Sequence, residues 1–126
     1  MSDPVLNEQG MTELHLGAYH GELDWVQKCT SDGLNVNARD GSGMTPLHWV
    51  ADMGLVGISS EREKIVRVLL QHGANVNAKD NADVSVLARA VLAGNEDIVK
   101  IIIAAGADLN SIDQRGDTPL DIALSH

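Results

Sequence analysis

Thr45-Pro46-Leu47-His48 opens, and Gly73-Ala74-Asn75-Val76-Asn77-Ala78-Lys79-Asp80 closes, the stretch whose reading decides the fold. Thr45 is a hydroxyl N-cap, and Pro46 stands at the first helical position, where its missing N–H costs nothing. A short helix starts there and ends at Gly54, a residue suited to a left-handed site just past a helix. A second, more apolar helix over about 61–71 carries Ile65-Val66 and Leu69-Leu70 and stops at Gly73. Asn75-Val76-Asn77 then runs extended, and Asp80 begins a new polar stretch.

The same order recurs on both sides. Leu14, Leu47, Leu87 and Leu120 are spaced 33, 40 and 33 apart, Gly21, Gly54 and Gly94 are 33 and 40 apart, and Gly33, Gly73 and Gly106 are 40 and 33 apart. All three series agree on a 33-residue period with seven extra residues between Gly54 and Val66. Each unit opens with a short polar turn: Asn7–Gly10, Asp40–Gly43, Asp80–Asp83 and Asp113–Gly116. Thr118-Pro119 repeats the helix start, and Thr12-Glu13 and Ser85-Val86 are weaker versions. Second helices are predicted over 23–30 and 96–104 as well, each followed by an extended piece, Asn35-Val36-Asn37 or Asp108-Leu109-Asn110.

These residues resemble the ankyrin repeat, and the resemblance covers essentially the whole chain. It implies an all-α solenoid of stacked helix-turn-helix units joined by hairpin-like loops. The units would run over about 7–39, 40–79 with the insertion near 55–61, 80–112, and a partial fourth at 113–126. Two departures stand out: Ser85-Val86-Leu87-Ala88 where the family has Thr-Pro-Leu-His, and Glu13 in place of Pro. The resemblance makes His15 and His48 structural, bonding within the junction of hairpin and helix. Asn37, Asn77 and Asn110 are expected to tie adjacent turns together.

No unit can bury its apolar face alone, so neighbours must stack. The expected seam comprises Leu14, Ala18, Val26, Cys29, Val36, Leu47, Ala51, Val66, Leu69, Leu70, Val76, Leu87, Ala90, Val91, Val99, Ile102, Ile103, Leu109, Leu120 and Ala123. A chain of 126 residues without Phe, with one Tyr and two Trp, suits such thin aliphatic layers. Glu61-Arg62-Glu63-Lys64 reads as a solvated helix start with local charge pairing.

Nine basic and eighteen acidic residues give a formal charge of −9. That repels phosphate backbones, so nucleic acid is not an expected partner; a basic protein is compatible with it, as is plain solubility. The single cysteine, Cys29, reads as a buried apolar thiol and can form no internal disulfide. There is no Gly-rich phosphate loop, nucleophile elbow or His-Glu-x-x-His motif, so no enzyme, catalytic residue, cofactor or metal site is expected. With no signal-peptide pattern and no apolar run long enough to span a bilayer, a cytoplasmic protein without membrane contact, monomeric when unbound, is expected.

The resemblance implies a concave face built from hairpin tips and the exposed side of each first helix. Read onto this chain, the partner-binding candidates are Tyr19, His20, Arg39, Ser42, Met44, Trp49, Asp52, Met53, Lys79, Asn81, Val84, Leu92 and Arg115. Tyr19, Met44, Trp49, Met53, Val84 and Leu92 would form an apolar strip across the units, the usual mark of a docking surface. Trp49 and Leu92 have an equally good reading as packing between repeats. Leu55, Val56 and Ile58 in the insertion are a second candidate, weighed equally against a self-packed turn that extends the second helix backward. In size and repeat number the chain resembles small ankyrin inhibitors, and a bacterial immunity-type protein neutralising a toxin or effector also fits. A structural role, with self-association through the C-terminal half-repeat, is the alternative.

Overall fold

The computed structural model describes residues 10–52 and 59–121. The six described helices are α1 (Glu13–His20), α2 (Leu23–Ser31), α3 (Pro46–Asp52), α4 (Ser59–Gln71), α5 (Val86–Ala93) and α6 (Glu96–Ala104). Residues 119–121 open a further helix. They pair as antiparallel hairpins, α1 with α2, α3 with α4 and α5 with α6. The pairs stack so that α1, α3 and α5 form one row and α2, α4 and α6 another. Among the described residues the only bridge of β type is the isolated Lys79–Ser85 pair.

Local chemistry sets the helix ends. The Thr12 hydroxyl accepts from the His15 amide at 3.4 Å, and the His15 ring returns the favour by accepting from the Thr12 amide at 3.0 Å. This is a capping box in which imidazole replaces the usual Glu. Ser85 accepts from the Ala88 amide at 3.1 Å and Asn95 from the Ile98 amide at 3.1 Å. Each second helix ends the same way: Leu34 donates to the Cys29 carbonyl, Ala74 to Leu69 and Ala107 to Ile102.

Between the hairpins, Asp40, Asp80 and Asp113 each build a finger. One carboxylate oxygen takes two amides, from Ser42 and Met44, from Ala82 and Val84, and from Arg115 and Asp117, all between 2.8 and 3.0 Å. Neighbouring fingers bond through Asn81 N–H to the Ser42 carbonyl and Gln114 N–H to the Ala82 carbonyl. Gly43 is required twice over, because φ is +77° and a Cβ there would lie 2.4 Å from the Asn81 side-chain oxygen.

The stack is sewn together by polar side chains as well as by apolar contact. His15 Nδ1 accepts from Thr12, so its Nε2 donates across to the Met44 carbonyl at 2.8 Å. His48 repeats this between Thr45 and the Val84 carbonyl, 3.1 Å away. On the far side, Asn37 donates to the Gly73 carbonyl and accepts from the Asn75 amide at 2.7 Å. Asn77 makes the matching pair with Gly106 and Asp108. Asn110, expected to be the third rung, has no such bond among the described residues.

Most of the expected seam is buried, from Leu14 through Leu47 and Leu69 to Ile102. Ile65, Val50, Val86 and Ile98 join it although their positions were not expected to. Ile103, Leu109 and Leu120 correct the expectation in the other direction, being 43%, 51% and 64% exposed. They face the side on which another layer would stack, and no described residue covers them. At the opposite end Trp25 stands where later units place Ile65 and Ile98. It lies over Gly17, and its indole N–H donates to the Glu13 carbonyl at 3.2 Å. A Cβ on Gly17 would come within 2.7 Å of that ring.

Candidate functional site

The fingers and the first helices α1, α3 and α5 share one side of the molecule, because the finger carboxylates reach the helices. Asp40 Oδ2 accepts from the Trp49 indole N–H at 2.7 Å. In the next unit Asp80 Oδ2 takes Arg89, the residue in register with Trp49, through both Nε and Nη2. Burial raises the Asp80 carboxyl, but the Arg89 guanidinium and the Val84 and Ala82 amides outweigh it and hold the pKa below its ordinary value.

Tyr19, in the last turn of α1, is 37% exposed. Its ring meets the Trp49 ring edge-on at 5.2 Å between centroids and lies 5.0 Å from the His20 ring. Trp49 is half-buried, packed against the core on one side and against Tyr19 on the other. The structure thus joins Tyr19, His20 and Trp49 into one aromatic cluster spanning the first two units. Leu92 is exposed on α5 and Asp52 is half-buried at the end of α3.

On the fingers, Ser42, Asn81 and Arg115 are exposed. Arg39 donates to the Asn81 side chain at 3.2 Å and Lys79 to the Ile112 carbonyl at 3.1 Å, so both cations also tie one unit to the next. Arg115 lies 3.8 Å from Asp113 and 3.7 Å from Asp117.

Met44 does not belong to this surface. It is only 6% exposed, with its amide on Asp40 and its carbonyl on His15. Met11, the matching residue before the Thr12 N-cap, is buried as well. Val84, its counterpart in the third unit, is half-buried. The expected strip is therefore broken: an aromatic cluster on the first two units, then Arg89 where a third ring would stand. Met53, Leu55, Val56 and Ile58 lie outside the described residues.

Arg62 is the residue that the sequence reading placed wrongly. It is not part of a solvated helix start but 3% exposed, with Nη1 on the Ala18 carbonyl at 3.3 Å and Nη2 on the Tyr19 carbonyl at 3.4 Å. Lys64 and Glu61 pair locally as expected, at 3.8 Å. A second surface lies at the C-terminal half-repeat, the end for which self-association is the alternative expectation. Leu87, Val91, Val99, Ile103, Pro119 and Leu120 line an apolar groove of about 430 Å³ at the C-terminal end of the stack. Among the described residues no group of three or more His, Cys, Asp or Glu could hold a metal ion, and no helix is long and apolar enough to cross a membrane.

Models of ankyrin repeats match this chain three times, over residues 14–54, 42–81 and 69–123. The chain belongs to the ankyrin-repeat family. It is 32% identical to human Rabankyrin-5 over 128 aligned residues, which take in 97% of this chain and 11% of that protein. It is also 32% identical to the mouse B-cell lymphoma 3 protein homolog over 122 residues, 96% of this chain and 26% of that protein. The Arabidopsis thaliana acyl-CoA-binding domain-containing protein 1 is 42% identical over 53 residues, 42% of this chain and 16% of that protein. The chain thus spans between about a tenth and a quarter of the length of these relatives. Ankyrin repeats are generally protein–protein interaction modules, and the family is generally non-enzymatic.

Proposed function

We propose that this ankyrin-repeat chain binds another protein across its fingers and first helices, and that occupying the partner, by inhibition or sequestration, is its activity. The edge-to-face pair of exposed Tyr19 and half-buried Trp49 carries this reading. Rigid aromatic side chains, half in the core and half open, supply large contact area at low cost in side-chain entropy. Arg39, Ser42, Asn81 and Arg115, exposed at or beside the fingers, add polar groups to the same side. The excess of acid over base favours a basic partner, whose approach would be steered most strongly at low salt. Neutralising a toxin or effector is the same mode of action with a particular partner, and a toxin gene beside this one would support it.

Tyr19→Ala is the direct test, because the side chain is open enough to remove without emptying the core. A protein captured stoichiometrically by the wild type should bind the variant about 10- to 100-fold more weakly in a calorimetric or surface-binding titration. Unchanged affinity would mean that the partner sits elsewhere.

The C-terminal groove favours a second reading, in which this end associates with another copy. Ile103, Leu109 and Leu120 are the observation behind it. Sedimentation at working concentration decides: a monomer eliminates it, and a dimer dispersed by Leu120→Asp supports it.

A further inference from the structure

The insertion distinguishes the second unit, and its described part does something definite. Helix α4 has 13 residues where α2 and α6 have nine. In register with Arg62 stand Glu22 and Asn95, the N-cap residues of α2 and α6. In the second unit the helix has already begun at Ser59, so the same position lies inside an added turn. A cap position has become a helical one, and its side chain reaches the preceding unit.

There it meets the end of α1. The last carbonyls of a helix lack intrahelical donors and carry the negative end of the helix dipole, so a guanidinium is well placed among them. Arg62 spans two of them, Ala18 and Tyr19, and lies over Gly21, whose absent Cβ would sit 3.2 Å from Nη2. Helix α1 is thereby held to the second unit at both ends, by His15 on the Met44 carbonyl at its start and by Arg62 at its finish. Tyr19 is in the turn that Arg62 holds. Trp49 is anchored separately, by Asp40 within the second unit.

We propose that Arg62 is the positioning residue of the binding face: it sets the end of α1 against the second unit and so holds the Tyr19 ring on Trp49. The added turn of α4 serves the face in this way, by fixing an anchor rather than by touching the partner. At the next boundary the matching position is Asn95, which caps α6, and Asp52 and Arg89 stand in register with Tyr19 and Trp49 in place of an aromatic pair. The functional meaning rests on the partner-binding reading above, but the geometry can be tested without any partner.

Tyr19 is the only tyrosine, so 3-fluorotyrosine incorporation yields a single fluorine resonance. Trp49→Leu gives the reference position of that resonance without the neighbouring indole. Arg62→Gln should move it at least halfway to that reference or broaden it by exchange, and Arg62→Lys, which keeps the charge but not the two-armed reach, should fall between. A resonance that stays at the wild-type position in both variants overturns the proposal, however much stability is lost; Arg62→Lys decides alone if Arg62→Gln does not fold. Failure of Trp49→Leu to shift the resonance overturns it too. Undiminished partner binding by Tyr19→Ala would defeat the partner-binding reading and leave the fluorine result standing.

Discussion

Leu47→Ala will lower the unfolding free energy by about 3–4 kcal/mol and the thermal midpoint by roughly 10–15 °C. Leu47 is completely buried in α3, the helix that packs against α1, α4 and α5 together. Removing its isopropyl group strips contacts from three neighbours and leaves a cavity that short, capped helices on both sides cannot readily close. In a stack of thin layers, stability is a sum of unit and interface contributions, so damage to the central layer weakens both of its interfaces. The loss is a large share of the roughly 5–15 kcal/mol that holds a domain folded. Leu120→Ala, which removes the same group from an open position, should change stability by less than about 0.5 kcal/mol. Denaturant titration of both variants by circular dichroism checks this, and equal effects at the two positions would contradict the layered core described above.

Acid will destabilise the chain through two kinds of group, the first being His48. Burial lowers the His48 pKa below its ordinary 6.5; the Val84 carbonyl and Asp80 oppose this, and Arg89 and Arg39 add to it. The neutral ring is the one that fits: Nδ1 accepts from the Thr45 amide at 3.2 Å, and Nε2 donates to Val84. With the folded value depressed, the unfolded chain takes up a proton first as pH falls, so stability rises with pH across this window. The contribution is complete above about 6.5 and is lost between there and the lower folded value. His48→Gln should cost about 2 kcal/mol at pH 7.5 by breaking the buried bonds, and should flatten the dependence between pH 7.5 and 5.5. Urea titrations of both proteins at the two pH values measure this; parallel losses would show that His48 is not the titrating group.

The second kind is the finger carboxylates. Asp80 is held below its ordinary value as described above. Asp113 is held down chiefly by the Asp117 amide, with burial opposing and the Arg115 amide and charge assisting. Their contributions are present above about 3.8 and disappear only as pH falls through their lowered folded values.

The period, the helix starts and the helix stops were legible in the residues because each rests on chemistry within a few positions. Thr12, Ser85 and Asn95 cap their own helices, Gly21 and Gly94 supply left-handed turns at φ of 70° and 76°, and Asp40, Asp80 and Asp113 fold their own fingers. From these the layered architecture follows, and with it the side of the molecule on which Tyr19 and Trp49 stand. What tertiary structure alone decided is who meets whom. An apolar period says that a face is buried without naming the neighbour, so it could not tell Met44, tucked inward, from Tyr19, left open, nor reveal that Ile103, Leu109 and Leu120 face a side with no described layer. Arg62 makes the same point in polar form: its neighbours in sequence are surface charges, while its partners lie 43 and 44 residues away at the end of another helix. Capping is a local equilibrium written residue by residue, whereas burial is a property of the neighbouring layer.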